Sequence, residues 1–266
     1  MIVGHCKICY KYEWQILLPN YPLQFMKIIP QVVLCLSLFA SLGPSRPVSA
    51  QFGNSQTAEQ ILIKMADRYS SADSYQDTGF VQITPKTAAV AKPRILNSFR
   101  SYFARPGDYR FEWRSNDAAD SGWKVIWTTG EFFSTLNSNG IPELEMDRGM
   151  MIARTSAVTR GASQTVAALL SGTVRGFRVS SMLEPVLLRQ ERFEGEKCFV
   201  VRGKHPLGFS IDVWIGINDF LIRKIRQTNG DGSFQEEIRR NIKLNNPIPA
   251  EIFQYKSKKT APKNVT

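Results

Sequence analysis

Two hydrophobic periods alternate along the chain and set its elements. Between Thr57 and Ser70, Ile61, Leu62, Met65, Ala66 and Tyr69 recur at three- and four-residue spacing. Glu59, Lys64, Asp67 and Arg68 take the other side. This predicts one amphipathic helix lying against an apolar surface, capped by Thr57 or Ser55. Beyond it the period falls to two. Phe80, Gln82 and Thr84 alternate with Val81 and Ile83, and Phe99, Ser101 and Phe103 with Arg100 and Tyr102. Tyr109, Phe111 and Trp113 alternate with Arg110, Glu112 and Arg114. These are half-buried strands, and Arg105-Pro106-Gly107-Asp108 is the turn chemistry that joins the last two as a hairpin. Trp123–Thr128 and Glu131–Leu136 predict a second hairpin about Thr129-Gly130.

The stretch 146–176 breaks this period. Ser163–Leu170 reads as a short helix stopped at Gly172, preceded by poorly patterned sequence that is partly helical. Strands resume at Val186–Phe193, Lys197–Arg202, Ser210–Ile215, Leu221–Thr228 and Ser233–Leu244. Glu194-Gly195-Glu196, Ile217-Asn218-Asp219 and 229–232 supply the turns. Pro247 and Pro249 end the last of these, and Glu251–Tyr255 is expected as a short terminal strand. One helix, a run of strands, a helical insertion and a second run of strands predict an α+β domain. Its sheet is an antiparallel meander of roughly ten strands, which must curl.

The segment before this domain has a different character. Met26-Lys27, the apolar stretch Ile28–Leu42 and Val48-Ser49-Ala50 form a charged start, a hydrophobic segment and a small-residue cleavage site. The stretch of about 15 residues is shorter than the ~20 that a spanning helix needs. It is therefore expected to be a signal peptide over residues 26–50, cleaved after Ala50, with periplasmic localisation. Cys35 follows Leu34 in mid-segment and is not a lipidation site. Residues 1–25 are read as an over-extended N-terminus, because Met26 opens the export signal. A metal site at Cys6-x-x-Cys9 would lack its second ligand pair.

The sequence has 266 residues, 34 Lys+Arg against 23 Asp+Glu and a formal net charge of +11. Its aromatic and apolar content suffices for a core and excludes disorder. The four cysteines are too few for a disulfide scaffold, and Cys198 alone lies beyond the leader. The basic balance favours anionic head groups or an acidic partner over nucleic acid. The basic stretch 256–266 is read as a solvated tail, and the chain as a monomer.

Several segments together resemble the LolA/LolB-like periplasmic lipoprotein-carrier superfamily, which includes outer-membrane lipoprotein-sorting proteins and sigma-regulator relatives. Tyr102–Trp113 looks like that family's hairpin, a basic-Pro turn leading into an aromatic strand. Trp127–Ser134 looks like the next strand, Gly turn and aromatic strand. Leu244-Asn245-Asn246-Pro247-Ile248-Pro249-Ala250-Glu251-Ile252-Phe253 looks like its closing segment. The resemblance spans residues 51–255. It implies a curved sheet forming an incomplete, half-open barrel of about eleven strands, with lid helices on the concave side around an apolar cavity. It implies no cofactor and two roles: a carrier of lipids or lipoprotein acyl chains, or alternatively a sensor module that binds a protein partner. It assigns no lid-locking arginine among Arg148, Arg154, Arg160, Arg175 and Arg178.

A sheet of that width is not filled by its own side chains. The candidate cavity and lid residues are accordingly Phe99, Phe103, Phe111, Trp113, Trp127 and Phe133 from the strands. From the helices they are Leu62, Met65 and Tyr69, together with Ala167, Leu169 and Leu170. Catalysis finds no support. There is no Gly-x-Ser-x-Gly elbow, phosphate loop or metal-ligand cluster. Cys198 is read as a buried inert thiol and His205 as a turn residue, with no nucleophilic pair between them.

Overall fold

The computed structural model describes residues 56–86, 92–116, 122–129, 132–136, 142–145 and 148–254. For 129, 132–136, 142–145, 148 and 150 it describes the backbone alone. The expected leader, residues 1–50, and the basic tail lie outside the described residues.

Helix α1 spans Ala58–Ser70. Thr57 starts it in a capping box: its hydroxyl accepts from the Gln60 backbone N–H, and the Gln60 side chain accepts from the Thr57 N–H. Its buried residues are Ala58, Ile61, Leu62, Met65 and Tyr69, the stripe that the period marks. Six strands follow: β1 Ser74–Thr84, β2 Arg94–Ala104, β3 Asp108–Ser115, β4 Lys124–Thr129, β5 Phe132–Leu136 and β6 Pro142–Glu145. Then come α2 Arg148–Thr159, α3 Ala162–Thr165 and α4 Ala167–Leu170. Five strands complete the sheet: β7 Leu183–Phe193, β8 Glu196–Lys204, β9 Ser210–Gly216, β10 Ile222–Thr228 and β11 Phe234–Leu244.

All pairings are antiparallel, in the order β6-β5-β4-β3-β2-β1-β11-β10-β9-β8-β7. The sheet is thus two meanders zipped at one seam, where β1 pairs with β11. A sheet this wide curves through its twist, and β6 and β7 are left as unjoined edges. The topology dictates the path of residues 146–182. The chain leaves one edge at β6 and re-enters at the other at β7, so this connector must pass from edge to edge of the sheet.

Register then sorts the side chains. Phe99 lies opposite Trp113, Phe103 opposite Tyr109, and Phe111 opposite both Ser101 and Ile126. Val201 opposes Val213, which opposes Ile225. Apart from Ser101, these residues belong to or pack against one apolar cluster with Leu62, Met65 and Tyr69 of α1 and with Met151, Ile152, Val166, Ala168 and Leu170 of the connector. The same face of the sheet therefore receives both helical segments. The opposite face carries ion pairs, such as Arg202–Asp212 at 2.6 Å and Arg226–Glu236 at 2.8 Å. It also carries a small cluster of Cys198, Val200 and Trp214.

Three expectations are corrected. Glu251–Tyr255 is not a strand: Ala250–Phe253 forms a 3-10 turn. Strand β11 already has β1 and β10 on its two sides, and the prolines remove donors, so a following strand has no adjacent edge to join. The helix over Ser163–Leu170 is broken at Val166 into α3 and α4, with Leu169 N–H donating to the Val166 carbonyl at 3.0 Å. Trp127 does not face the helices. It pairs with Arg110 on the other face, where the 3-10 turn packs on β3 and β4 and the Ile252 carbonyl accepts from Arg110 at 3.0 Å.

Gly79 is the tightest point of the seam. A Cβ placed there would lie 2.3 Å from the Ile238 carbonyl oxygen and 2.4 Å from the Phe99 ring. The missing side chain lets that ring lie flat over β1. Gly79→Ala is expected to lower stability by about 1–3 kcal/mol through overpacking, read from the urea midpoint. An unchanged or raised midpoint would show that the seam has slack, since alanine in a strand interior otherwise gains over glycine.

Candidate functional site

The face that receives the helices contains a charge that water does not reach. Arg239 of β11 has 0% exposed side chain. Its guanidinium donates to Asp77 of β1, to Glu237 at 2.6 Å and to the Ala162 carbonyl at 2.7 Å. It also lies 4.9 Å from the centre of the Phe99 ring that Gly79 accommodates. Burial works against its charge, and Glu237 and Asp77 more than offset that, so its pKa stands well above the ordinary value. Around it, the Tyr75 hydroxyl donates to Asp77 at 2.6 Å and the Thr165 hydroxyl to Glu237 at 2.8 Å. Burial first and Asp77 second push the Tyr75 phenol far up, so it stays a neutral donor. The second oxygen of Asp77 is buried without a hydrogen-bond partner among the described residues.

This network does more than satisfy itself. Arg239 and Glu237 join the sheet to α3 through the Ala162 carbonyl and the Thr165 hydroxyl, and the Tyr109 hydroxyl donates to the Ser163 carbonyl at 2.7 Å. Asn97 donates to the Val158 carbonyl at 3.2 Å and Gln235 to the Arg160 carbonyl at 3.0 Å. Arg105, in the β2–β3 turn, donates to the carbonyls of Ser70 and Ala72 at the end of α1 and, at 3.4 Å, to Leu170 at the end of α4. A cation there meets the orphan carbonyls of two helix ends. The connector is thus held to the sheet by a few directed polar bonds as well as apolar packing.

Next to the network the packing opens into a cavity of about 380 Å³, within the range of small-molecule sites. One wall is apolar: Phe177 and Val179 of the connector, Phe209 and Ile211 of β9 and its turn, and Ile225 of β10. The other carries Ser156, Arg160, Gln164, Thr165, Gln235 and Glu237. His205 lies at its edge, 4.2 Å from the Phe177 ring and 4.3 Å from the Phe209 ring, centre to centre. Its Nδ1 accepts from the Leu207 N–H at 3.0 Å, and burial lowers its pKa. Among the described residues, no group of three or more His, Cys, Asp or Glu is arranged to hold a metal.

The sequence-derived candidates fall elsewhere. Leu62, Met65, Tyr69, Phe99, Phe103, Phe111, Trp113, Ala167, Leu169 and Leu170 all belong to the packed cluster beside the cavity. None of them lines it. Trp127 faces away, and the Phe133 side chain lies outside the described residues. The cavity residues gave weaker signals: Ile211 and Ile225 sit in plain alternating strands, Phe177 is isolated, and His205 reads as turn chemistry. Arg239 and Arg105, which hold the connector, lie outside it in sequence. Cys198 and His205 are on opposite faces of the sheet, and burial pushes the Cys198 thiol up to about 11.

No family model and no curated relative matches this chain. Solved structures similar to it include lipoprotein LppX of Mycobacterium tuberculosis, with 12% identity and TM-score 0.44 over 72% of this chain and 97% of that one. A LolA superfamily protein of Nitrosomonas europaea matches with 14% identity and TM-score 0.36, over 76% of this chain and 99% of that one. The MucA/MucB complex of Pseudomonas aeruginosa matches with 14% identity and TM-score 0.43, over 75% of this chain and 61% of the matched chain.

Arg239→Leu leaves two buried carboxylates without their cation and is expected to cost about 3–5 kcal/mol. A urea midpoint near that of the wild type would show that the network is not the tie described. Cys198 is expected to react with a maleimide only after denaturation, and labelling mapped to Cys198 in the native protein would contradict its burial.

Proposed function

We propose that this chain is an exported binding protein that carries lipids or lipoprotein acyl chains non-covalently under the helical connector. The observation that carries this reading is the cavity itself. It has one apolar and one polar wall, and it lies between a continuous sheet and a connector that is anchored by a countable set of polar bonds. Burial of apolar surface, worth ~25 cal/mol per Å², drives a chain into it. The volume suits about a dozen water-sized groups, hence one medium acyl chain in the closed arrangement. Larger cargo requires the connector to lift. Phe99, Phe103, Phe111 and Trp113 would then become the cavity floor, and Leu169 and Leu170 the underside of a lid on the concave side.

Two polar sites would govern that opening. Breaking the bonds of Arg239 to Ala162 and of Thr165 to Glu237 releases α3, and Arg105 releases the end of α4. None of these steps makes or breaks a covalent bond, and the reading requires no cofactor. The leader expected over Met26–Ala50 supports a periplasmic carrier.

The test is native mass spectrometry of the chain recovered from the periplasm of a Gram-negative host, with lipid extraction of the same sample. A stoichiometric bound lipid or acylated peptide is expected. Phe177→Glu, on the cavity's apolar wall, is expected to weaken uptake of a fluorescent fatty acid about tenfold with folding unchanged. A bare mass together with no uptake of the probe would overturn the carrier and leave a module that senses a protein partner.

A further inference from the structure

The cavity is graded from one side to the other, and the strand register sets the gradient. Gln227 of β10 lies opposite Ile211 of β9 on one side and Gln235 of β11 on the other. One row inward, Ile225 lies between Val213 and Glu237. The floor is therefore apolar at β9 and polar at β11. Phe209 and Phe177, which both adjoin the His205 ring, extend the apolar end. Two strand spacings, about 10 Å, separate the ends.

The polar end carries an uncommitted cation. Arg160 follows α2 with φ +55°, and Gly161 comes next with φ +95°. The left-handed region is unfavourable for arginine, and just past a helix it is usually taken by glycine or asparagine. The Arg160 carbonyl accepts from Gln235 Nε2 at 3.0 Å, which fixes its backbone on β11. The residue lines the cavity and is exposed, and its guanidinium has no ion pair or hydrogen bond among the described residues. Glu237, the acid of the lining, already accepts from Arg239 and from Thr165. Ser156, a turn earlier in α2, also lines the cavity, and its hydroxyl is likewise uncommitted among the described residues. Gln164 directs its amide to the Arg175 carbonyl at 3.0 Å.

An occupant of the cavity displaces water from the inner side of Arg160. A neutral head group leaves the guanidinium less solvated and still without a counter-charge, and a cationic head adds repulsion. An anionic head accepts a charge-assisted hydrogen bond there. We propose that the cavity selects a single-chain amphiphile with an anionic head, a carboxylate or a phosphate monoester. The head sits at Arg160 and Ser156, and the chain runs across the sheet to Ile211 and Phe209. This rests on the reading of the cavity as a lipid site, and the volume of about 380 Å³ sets the limit of one chain.

The test uses the chain recovered from the periplasm and freed of endogenous lipid. Uptake of the neutral probe N-phenyl-1-naphthylamine reports the cavity, and decanoate, decyl phosphate, decanol and decylamine compete for it. One of the two anions is expected to displace the probe at a concentration at least about fivefold lower than decanol, with decylamine weakest. Which anion leads identifies the head as carboxylate or phosphate. Arg160→Gln is expected to bring the anions within about twofold of decanol and to leave decanol unchanged. Arg160→Gly, which also relieves the left-handed backbone, is expected to do the same. Lys197→Gln removes one charge at the far end of β8 from His205 and is expected to keep the wild-type preference. Equal displacement by the anions and decanol would overturn the assignment, as would an anion preference that survives both Arg160 variants or is lost in Lys197→Gln. Failure of the wild type to take up the neutral probe would instead refute the cavity reading.

Discussion

A guanidinium without water must have its charge and its donors answered locally, and the fold is arranged around that requirement at Arg239. Asp77 comes from the first strand and Glu237 from the last. Their meeting on one cation ties the seam of the two meanders. The carbonyl of Ala162 adds the connector, and the Phe99 ring over Gly79 closes the remaining side. Removing any one member leaves the others stranded in a low-dielectric site. A seam held by packing alone would stabilise at least as well, so the ionic solution is better understood as fixing the register and the docking of the connector.

From that constraint the site follows. Strands β6 and β7 are opposite edges of one sheet, so the connector has to pass over it. Its helices are short and lined with small residues. Tight helix packing fills the β1–β4 half with aromatics. Over β11 the connector is still helical, with α3 held by Arg239 and Glu237; beyond it Phe177 and Val179 belong to a loop over Ile211 and Ile225, and space remains. The cavity thus sits where the helical cover ends, with the polar network at its inner side and the exposed turn of Leu207 at its outer rim.

The strands were legible because alternation is local: Tyr109, Phe111 and Trp113 declare their face without any partner. Helix α1 was legible for the same reason, with its cap and stripe complete within fourteen residues. The pairing of β1 with β11 was not, since nothing near Asp77 in sequence refers to Arg239, 162 residues away. The aromatics that stand out in the sequence became core, because large apolar side chains are the ones that packing consumes first. The cavity lining is made of medium and polar residues that carry no pattern of their own. Trp127 shows the limit of reading aromatics as one set: its parity in β4 is opposite to that of Ile126 and Thr128, and a 3-10 turn from the chain's end covers it.

A connector that serves as a lid opens as a unit while the sheet stays intact, and a bound ligand holds it closed. Native-state hydrogen exchange tests this directly, with amides of 160–182 compared with those of β1, β2 and β11, with and without a fatty acid. Connector amides are expected to exchange through a local opening well below the global unfolding free energy, and the fatty acid is expected to slow them selectively. Exchange of the connector at the same rate as the sheet core, unchanged by the fatty acid, would contradict it.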